Sequence, residues 1–181
     1  KSGVLSLIKM LQKYNGAILA DAVGLGKTWS ALAVMKYFQQ QGHEVILLCP
    51  KKLEHNWRRY IKSHESRFEE DKLEYFVRFH TDMYETRLEK YDDRSDHYFT
   101  NDRSKLIVID ESHNLRNDKS SRYQFLMENI LQKNEDVKVL LLSATPINNS
   151  LEDTRNQFKL TVKGEPTGFY EKLDVRNLDF V

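Results

Sequence analysis

The sequence predicts an α/β domain built on a mainly parallel, doubly wound sheet with helices on both faces. Short runs such as residues 45–49 and 106–109 are apolar throughout. Strands without polar alternation are buried on both faces, which is typical of a parallel sheet covered by helices. Amphipathic stretches alternate with these runs, and the strand-to-strand interval of roughly 25–30 residues is that of strand–helix–strand crossovers.

Five strands and four helices are predicted along the chain. The strands are the apolar runs at 17–20, 45–49, 75–79, 106–109 and 137–142. Apolar side chains three or four residues apart predict the helices. Their apolar faces are Val4/Ile8/Leu11/Tyr14, Ala31/Val34/Met35/Phe38, Leu53/Trp57/Tyr60/Ile61 and Tyr123/Leu126/Met127/Ile130/Leu131. Asn15-Gly16 and Gly42 end the first two helices.

Composition excludes several classes of protein. The 181 residues carry 28 lysines and arginines against 27 aspartates and glutamates, a net charge of +1, so no global field indicates a nucleic acid or a membrane. No run approaches the ~18 apolar residues of a membrane span, and no membrane partner is expected. The single cysteine, Cys49, excludes an intramolecular disulfide framework and indicates a reducing compartment.

Residues 1–162 are expected to form one domain, which is close to the typical ~150 residues. Residues 163–181 are interpreted as a linker or tail with a turn at Pro166-Thr167-Gly168. The polar stretch 91–104 is interpreted as a surface loop or insertion. Because the chain begins Lys1-Ser2 without a methionine, we expect it to be part of a longer protein.

A glycine-containing segment follows the first predicted strand and precedes a helix. There, successive backbone N–H groups form a nest for an anion, and the helix N-terminus adds its positive dipole. Lys27 can reach the β- and γ-phosphates, and the Thr28 hydroxyl can ligate Mg²⁺. The strict phosphate-loop pattern fails at Asp21, where glycine is usual, and the alternative is an ordinary glycine-rich turn. The predicted nucleotide-binding residues are Val23, Gly24, Leu25, Gly26, Lys27 and Thr28.

Two carboxylates, Asp110 and Glu111, directly follow the predicted strand 106–109. Ligands of open α/β sheets bind in the crevice at the carboxyl ends of the strands. One carboxylate can hold Mg²⁺ while the other polarises the attacking water. The alternative is a pair of acids capping a helix, but the phosphate loop favours the functional interpretation. The predicted catalytic residues are Lys27, Asp110 and Glu111.

A local basic patch follows the second strand. Its cations are Lys51, Lys52, Arg58, Arg59 and Lys62, with Trp57 and Tyr60 interleaved. Such a patch can track a phosphate backbone. The alternative is a solvated helix face with Trp57 in the core.

These motifs together resemble helicase superfamily 2, in particular its Swi/Snf-like branch. Residues 21–28 resemble motif I, residues 110–113 motif II in its DExH form, and residues 143–146 motif III. Leu48-Cys49-Pro50 with the downstream Trp57 is similar to the motif Ia region, and residues 147–153 resemble the stretch that follows motif III. The matching segments extend from about position 17 to position 160.

The resemblance implies a RecA-like ATP-binding lobe with ATP and Mg²⁺ as cofactors. Lys27 would bind the phosphates and Glu111 would activate water, while Thr28 and Asp110 would hold the metal ion. Three further residues would couple the nucleotide state to nucleic acid or to a second lobe, namely His113, Ser143 and Thr145. For the last two, the alternative is turn capping before Pro146. These roles require strand 137–142 to lie between strands 17–20 and 106–109.

The resemblance further implies the N-terminal lobe of an ATP-dependent DNA translocase or helicase-like motor. Its partners would be DNA, expected to be duplex, and a second RecA-like lobe of the same longer chain. By resemblance, the arginine finger belongs to that second lobe, so residues 1–181 alone are expected to be nearly inactive. The expected location is the cytoplasm, on the nucleoid in a bacterium, or the nucleus in a eukaryote.

Two other classes of function stay open at this point. Another P-loop enzyme, such as a small-molecule kinase or a GTPase, would share the phosphate loop, but neither an Asn-Lys-x-Asp guanine reader nor an obvious lid is found. A non-catalytic interaction module would keep the fold, and the intact Lys27, Asp110 and Glu111 argue against it.

Overall fold

The computed structural model of the chain describes residues 2–20, 26–61, 70–83, 103–115, 117–143 and 151–162. Five strands form one parallel sheet: β1 (Gly16–Ala20), β2 (Glu44–Cys49), β3 (Phe76–Phe79), β4 (Lys105–Ile109) and β5 (Val137–Ser143). The order across the sheet is β1-β5-β4-β2-β3. All five predicted strands are therefore confirmed, and so is the predicted place of β5 between β1 and β4.

Five α-helices surround the sheet in the described part of the chain. They are α1 (Ser2–Tyr14), α2 (Gly26–Gln40), α3 (Glu54–Arg58), α4 (Ser121–Phe125) and α5 (Leu151–Thr161). Single 3₁₀ turns lie at Lys51–Leu53, His80–Asp82 and Ser112–Leu115. The helix predicted around Leu126 is not a regular α-helix, because α4 continues as a π-helix over Leu126–Leu131. Its hydrogen bonds between residues five apart are visible where the Gln132 N–H donates to the Met127 carbonyl at 2.9 Å.

The two faces of the sheet are both covered. On β2, Val45, Leu47 and Cys49 belong to the core shared with α1, α2 and α3. Ile46 and Leu48 point to the other face and belong to the core shared with the π-helix Leu126–Leu131. The apolar runs are thus buried on both sides, as the sequence predicts. β1 differs, because it is an edge strand of the described sheet and its Ala20 is exposed.

The end of α1 shows how local sequence directs the chain into β1. Asn15 has φ of 58°, the left-handed conformation that asparagine adopts more readily than most residues. Gly16 then begins the strand, and a side chain at this position would collide with Thr161 of α5. Glycine is therefore required there for the close approach of β1 and α5.

Several predictions lie outside the described residues. They concern most of the loop 91–104, the linker 163–181 and the stretch after motif III up to residue 150. The domain boundary at 162 stays a prediction. Within the described part of the chain, no helix combines the length and the apolar character that crossing a membrane requires.

Candidate nucleotide-binding site

The carboxyl ends of the strands place the predicted motifs at one edge of the sheet. Ala20, the last residue of β1, pairs with Ser143 of β5, and Ile109 of β4 pairs with Leu141. β1 ends at Ala20, directly before the predicted phosphate loop, and β4 ends at Ile109, directly before Asp110. Both strand ends lie at the same edge of the sheet. Because the strands are parallel, residues far apart in sequence meet at this edge, where open α/β sheets bind ligands.

Four predicted site residues line one cavity at this edge. The cavity has a volume of about 300 Å³ and includes Lys27, Thr28, Asp110 and Glu111 among its walls. Its other lining residues are Leu53, Asn56, Trp57, Arg59, Tyr60 and Leu142. Gly26, Lys27 and Thr28 form the start of α2, so both side chains sit at a helix N-terminus. Residues 21–25, including Val23, Gly24 and Leu25, lie outside the described residues.

The Asp110 carboxylate is held by a hydrogen bond to each oxygen. The Trp57 indole N–H donates to Oδ2 at 2.8 Å, and the Glu111 backbone N–H donates to Oδ1 at 2.9 Å. Burial raises the pKa of Asp110 above its ordinary value, while these two donors and the charge of Lys27 oppose that rise. Lys27 and Asp110 line the same cavity.

Glu111 has an unusual backbone conformation. Its φ is 51°, in the left-handed region that a non-glycine residue rarely occupies. Its Oε2 lies 3.1 Å from Nδ1 of His113, near enough for an ion pair when the imidazole is protonated. The two atoms are not aligned as a hydrogen bond. Strained backbone of this kind concentrates at functional sites, so the conformation supports the predicted importance of Glu111.

Motif II is also connected to α5, which sequence reasoning missed. The buried Ser112 hydroxyl donates to Oε1 of Gln157 at 2.9 Å. The Tyr123 hydroxyl donates to the Asn156 carbonyl at 2.7 Å. Partners 45 and 33 residues apart leave no periodic signal in the sequence. Helix α5 is therefore anchored to the segment that carries the two carboxylates.

The coupling residues are only partly described. Ser143 is buried at the end of β5, next in line after Leu142, which lines the cavity with Asp110. His113 lies beside Glu111. Thr145 falls outside the described residues. The structure thus brings Ser143 and His113 to the correct edge, and their roles stay predictions.

The structure agrees only in part with the interpretation of the basic patch as a nucleic-acid surface. Trp57 is only 4% exposed and lies in the core, so it cannot stack on a base. Glu54 forms ion pairs with Lys51 at 2.7 Å and with Arg58 at 2.8 Å. Lys52 is exposed and Arg59 is half-buried, whereas Lys62 falls outside the described residues. The alternative that places Trp57 in the core is therefore confirmed.

A second cavity adjoins the first and shares Glu111 with it. Its volume is about 470 Å³, and its lining is rich in cations and imidazoles. The lining residues are Pro50, Lys51, Lys52, His80, Thr81, Glu111, His113, Asn114 and Arg122. Lys51 and Lys52 belong to the predicted basic patch, and the structure adds Arg122 and the two imidazoles to them beside Glu111.

His80 makes the stability of the fold depend on pH. Burial lowers the pKa of its imidazole from 6.5 to about 4, and the charges of Arg122 and His113 act in the same direction. The native state therefore keeps His80 neutral, while the unfolded chain takes up a proton below pH 6.5. Its contribution is complete above pH 6.5 and is lost as the pH falls towards 4, by about 3 kcal/mol in total.

We expect His80→Asn to reduce the acid-induced loss of stability between pH 7 and pH 4. The measurement is urea unfolding at each pH, with the exposed His55→Asn as the matched control. His55→Asn should follow the wild-type pH dependence. The same pH dependence in His80→Asn as in the wild type would show that another group is responsible.

The donor set of the first cavity fits Mg²⁺. The Thr28 hydroxyl and the Asp110 carboxylate supply oxygen ligands, and Mg²⁺ usually binds through one or two carboxylates, substrate phosphates and several waters. Each Asp110 oxygen accepts one described hydrogen bond and keeps a further lone pair. Among the described residues no cluster of three or more His, Cys, Asp or Glu side chains offers a protein-only metal cage.

The parallel sheet, its strand order and the motif residues at its carboxyl edge define a RecA-like lobe of the nucleotide-binding kind. The chain belongs to the SNF2-related domain family, whose family model matches residues 1–163. The resemblance stated from the motifs is therefore confirmed.

Curated relatives agree with this assignment. The uncharacterized ATP-dependent helicase YqhH of Bacillus subtilis is 32% identical over 163 residues, which cover 86% of this chain and 28% of that protein. The Bos taurus SWI/SNF-related matrix-associated actin-dependent regulator of chromatin subfamily A containing DEAD/H box 1 is 30% identical, covering 81% of this chain and 16% of that protein. The chain thus spans less than a third of the length of these relatives.

Solved structures show the same fold. The Sulfolobus solfataricus SWI2/SNF2 ATPase core in complex with double-stranded DNA superposes with a TM-score of 0.65 at 21% identity. The match covers 94% of this chain and 37% of that one. The helicase domain of Pyrococcus furiosus Hef gives a TM-score of 0.55 at 18% identity, covering 88% of this chain and 36% of that one.

Proposed function

We propose that this chain is the ATP-binding lobe of a DNA-dependent motor, which binds ATP with Mg²⁺ and hydrolyses it to move along or remodel DNA complexes. The observation that carries the proposal is the single cavity at which Lys27, Thr28, Asp110 and Glu111 meet. Residues separated by more than 80 positions in sequence converge there. Family membership and the ATP-dependent helicases among its relatives support the same activity.

Each of these four residues of the cavity has its own role in the proposed phosphoryl transfer. Lys27 places a positive charge against the phosphates, and the N-terminus of α2 adds its dipole. Thr28 and Asp110 would hold Mg²⁺, which neutralises the charge on the phosphate oxygens. Glu111 accepts a hydrogen bond from the attacking water and orients it. Because the chemistry is largely positioning and electrostatics, the fixed geometry of Asp110 matters.

DNA is the proposed partner of the adjacent surface. The second cavity combines Lys51, Lys52 and Arg122, a cluster of cations that suits a phosphate backbone. Its shared wall, Glu111, brings that surface next to the nucleotide cavity. A solved SWI2/SNF2 core in complex with double-stranded DNA supports duplex DNA as the partner. A second RecA-like lobe would complete the site. Such a motor would be located with its DNA, on the nucleoid in a bacterium or in the nucleus in a eukaryote.

We expect Lys27→Ala to weaken ATP binding by about 10- to 100-fold, because the lost interaction is a hydrogen bond between charged groups. The measurement is calorimetric titration of the full-length protein with a non-hydrolysable ATP analogue. Lys36→Ala, on the same helix but nine residues further along, is the matched control and should bind like the wild type. Unchanged affinity in Lys27→Ala would contradict the assignment of this cavity as the phosphate site.

The partner is tested by ATPase assays of the full-length protein with duplex DNA, single-stranded DNA and RNA in parallel. Duplex DNA should stimulate hydrolysis most. Stimulation by RNA alone would refute DNA as the partner while leaving the ATP site intact. Equal hydrolysis of GTP and ATP with no response to any nucleic acid would favour another class of P-loop enzyme.

A further inference from the structure

Trp57 makes a contact that neither its position in the core nor the proposed chemistry explains. Its indole N–H donates to Oδ2 of Asp110 at 2.8 Å, although 53 residues separate the two in sequence. Trp57 is 4% exposed and lines the nucleotide cavity together with Asp110. We propose that Trp57 is a positioning residue that orients the Asp110 carboxylate to hold Mg²⁺, an inference that rests on the proposed ATP site.

The need for such a residue follows from the chemistry of aspartate. The torsion that turns a carboxylate about its last bond has broad minima, so the rotamer alone does not fix the plane of the two oxygens. In this site the Glu111 N–H fixes Oδ1 and the Trp57 N–H fixes Oδ2. One donor on each oxygen fixes the plane and leaves each oxygen the capacity to accept a further bond at the cavity that Asp110 lines.

Trp57 is itself held in place by its backbone and by packing. The hydroxyl of Tyr75, which is 5% exposed, donates to the backbone carbonyl of Trp57. Trp57 also lies in the core cluster that packs α2 and α3 against β2. The indole is therefore fixed by packing, and the backbone that carries it is fixed by a hydrogen bond. An outer partner of a metal-holding carboxylate requires such a donor, because a mobile donor would not orient the carboxylate.

The competing explanation is that Trp57 only fills the core and that its hydrogen bond satisfies a buried N–H. The two explanations differ in what loss of the N–H does. A filling role predicts a change in stability that affects nucleotide binding equally with and without metal. A positioning role predicts a change confined to the metal-dependent part of binding.

The experiment compares Trp57→Phe with Trp29→Phe in the full-length protein. Both variants keep an aromatic ring and lose one indole N–H, and Trp29 is 55% exposed with an edge-on contact to Tyr60. Binding of a non-hydrolysable ATP analogue is measured by calorimetry in EDTA and over a Mg²⁺ series. Trp57→Phe should raise the half-saturating Mg²⁺ concentration about tenfold and leave metal-free binding as in the wild type. Trp29→Phe should change neither.

Equal Mg²⁺ dependence in Trp57→Phe and wild type would overturn the inference. So would an equal loss of binding with and without Mg²⁺, the result of a purely structural role. A wild-type protein that binds the analogue no better with Mg²⁺ than in EDTA would instead defeat the proposed function itself.

A second measurement uses indole fluorescence in the full-length protein. Residues 1–181 contain two tryptophans, so the difference in emission between Trp29→Phe and the double variant Trp29→Phe/Trp57→Phe reports Trp57. If Trp57 bonds a carboxylate that holds Mg²⁺, its emission should respond to the analogue with Mg²⁺ more than to the analogue in EDTA. Identical emission in the two conditions would argue that the indole does not sense the metal site, and the inference would be wrong.

Discussion

Glu111→Gln is expected to abolish ATP hydrolysis in the full-length protein while nucleotide binding stays close to that of the wild type. The expected fall in kcat is about 10²- to 10⁴-fold, the contribution of a general base. Glutamine keeps the size of the side chain and its place between the two cavities, but it no longer accepts a proton. Asp110 and Thr28 are unchanged, so the proposed metal site is preserved.

The measurement is steady-state ATP hydrolysis with saturating duplex DNA, paired with binding of a non-hydrolysable analogue. Glu128→Gln makes the same change at an exposed helical position and should behave like the wild type. If Glu111→Gln lost ATP affinity as severely as Lys27→Ala, the two residues would not have the separate roles proposed for them. Hydrolysis at the wild-type rate would remove Glu111 from the mechanism.

Residues 1–181 alone are expected to hydrolyse ATP at least about 10³-fold more slowly than a chain that also contains the second lobe. The resemblance places the arginine finger in that lobe, and such an arginine contributes about 10³- to 10⁵-fold to the rate. Closure of two lobes around the nucleotide also excludes water and completes the site. Duplex DNA should therefore not stimulate residues 1–181.

This expectation is checked by measuring ATP turnover of both proteins with and without duplex DNA. Glu111→Gln in each protein serves as the background control for contaminating hydrolases. A brisk, DNA-stimulated rate from residues 1–181 would mean that the catalytic site is complete within one lobe. The proposal of a second lobe as an essential partner would then be abandoned.

The elements of the fold follow from local sequence. Apolar runs predict the five strands. The signal is clearest for the inner strands β2, β4 and β5, because a strand buried on both faces cannot tolerate polar alternation. Asn15 and Gly42 mark the ends of α1 and α2, and both have positive φ in the structure. The position of β5 between β1 and β4 was also predictable, since the proposed role of Ser143 requires it beside both the phosphate loop and Asp110.

Four residues of the candidate site were predictable from the sequence, but their connections were not. Lys27, Thr28, Asp110 and Glu111 stand out because their residue types and spacing match phosphate and metal chemistry. The π-helix after Phe125 gave no comparable signal, since its apolar residues fit an α-helix equally well. Nothing in the sequence predicts the left-handed backbone of Glu111 either, because glutamate rarely adopts that conformation.

The sequence by itself therefore determined the fold class, the five strands and four candidate residues that the structure brings to one cavity. Only the tertiary structure decided that Trp57 contacts Asp110, that Gln157 contacts Ser112 and that His80 lines a second, basic cavity. The physical reason is the range of the interactions. Periodicity and turn chemistry act between residues a few positions apart. These contacts join residues 45 or 53 positions apart, which meet only because parallel strands bring their carboxyl ends to one edge.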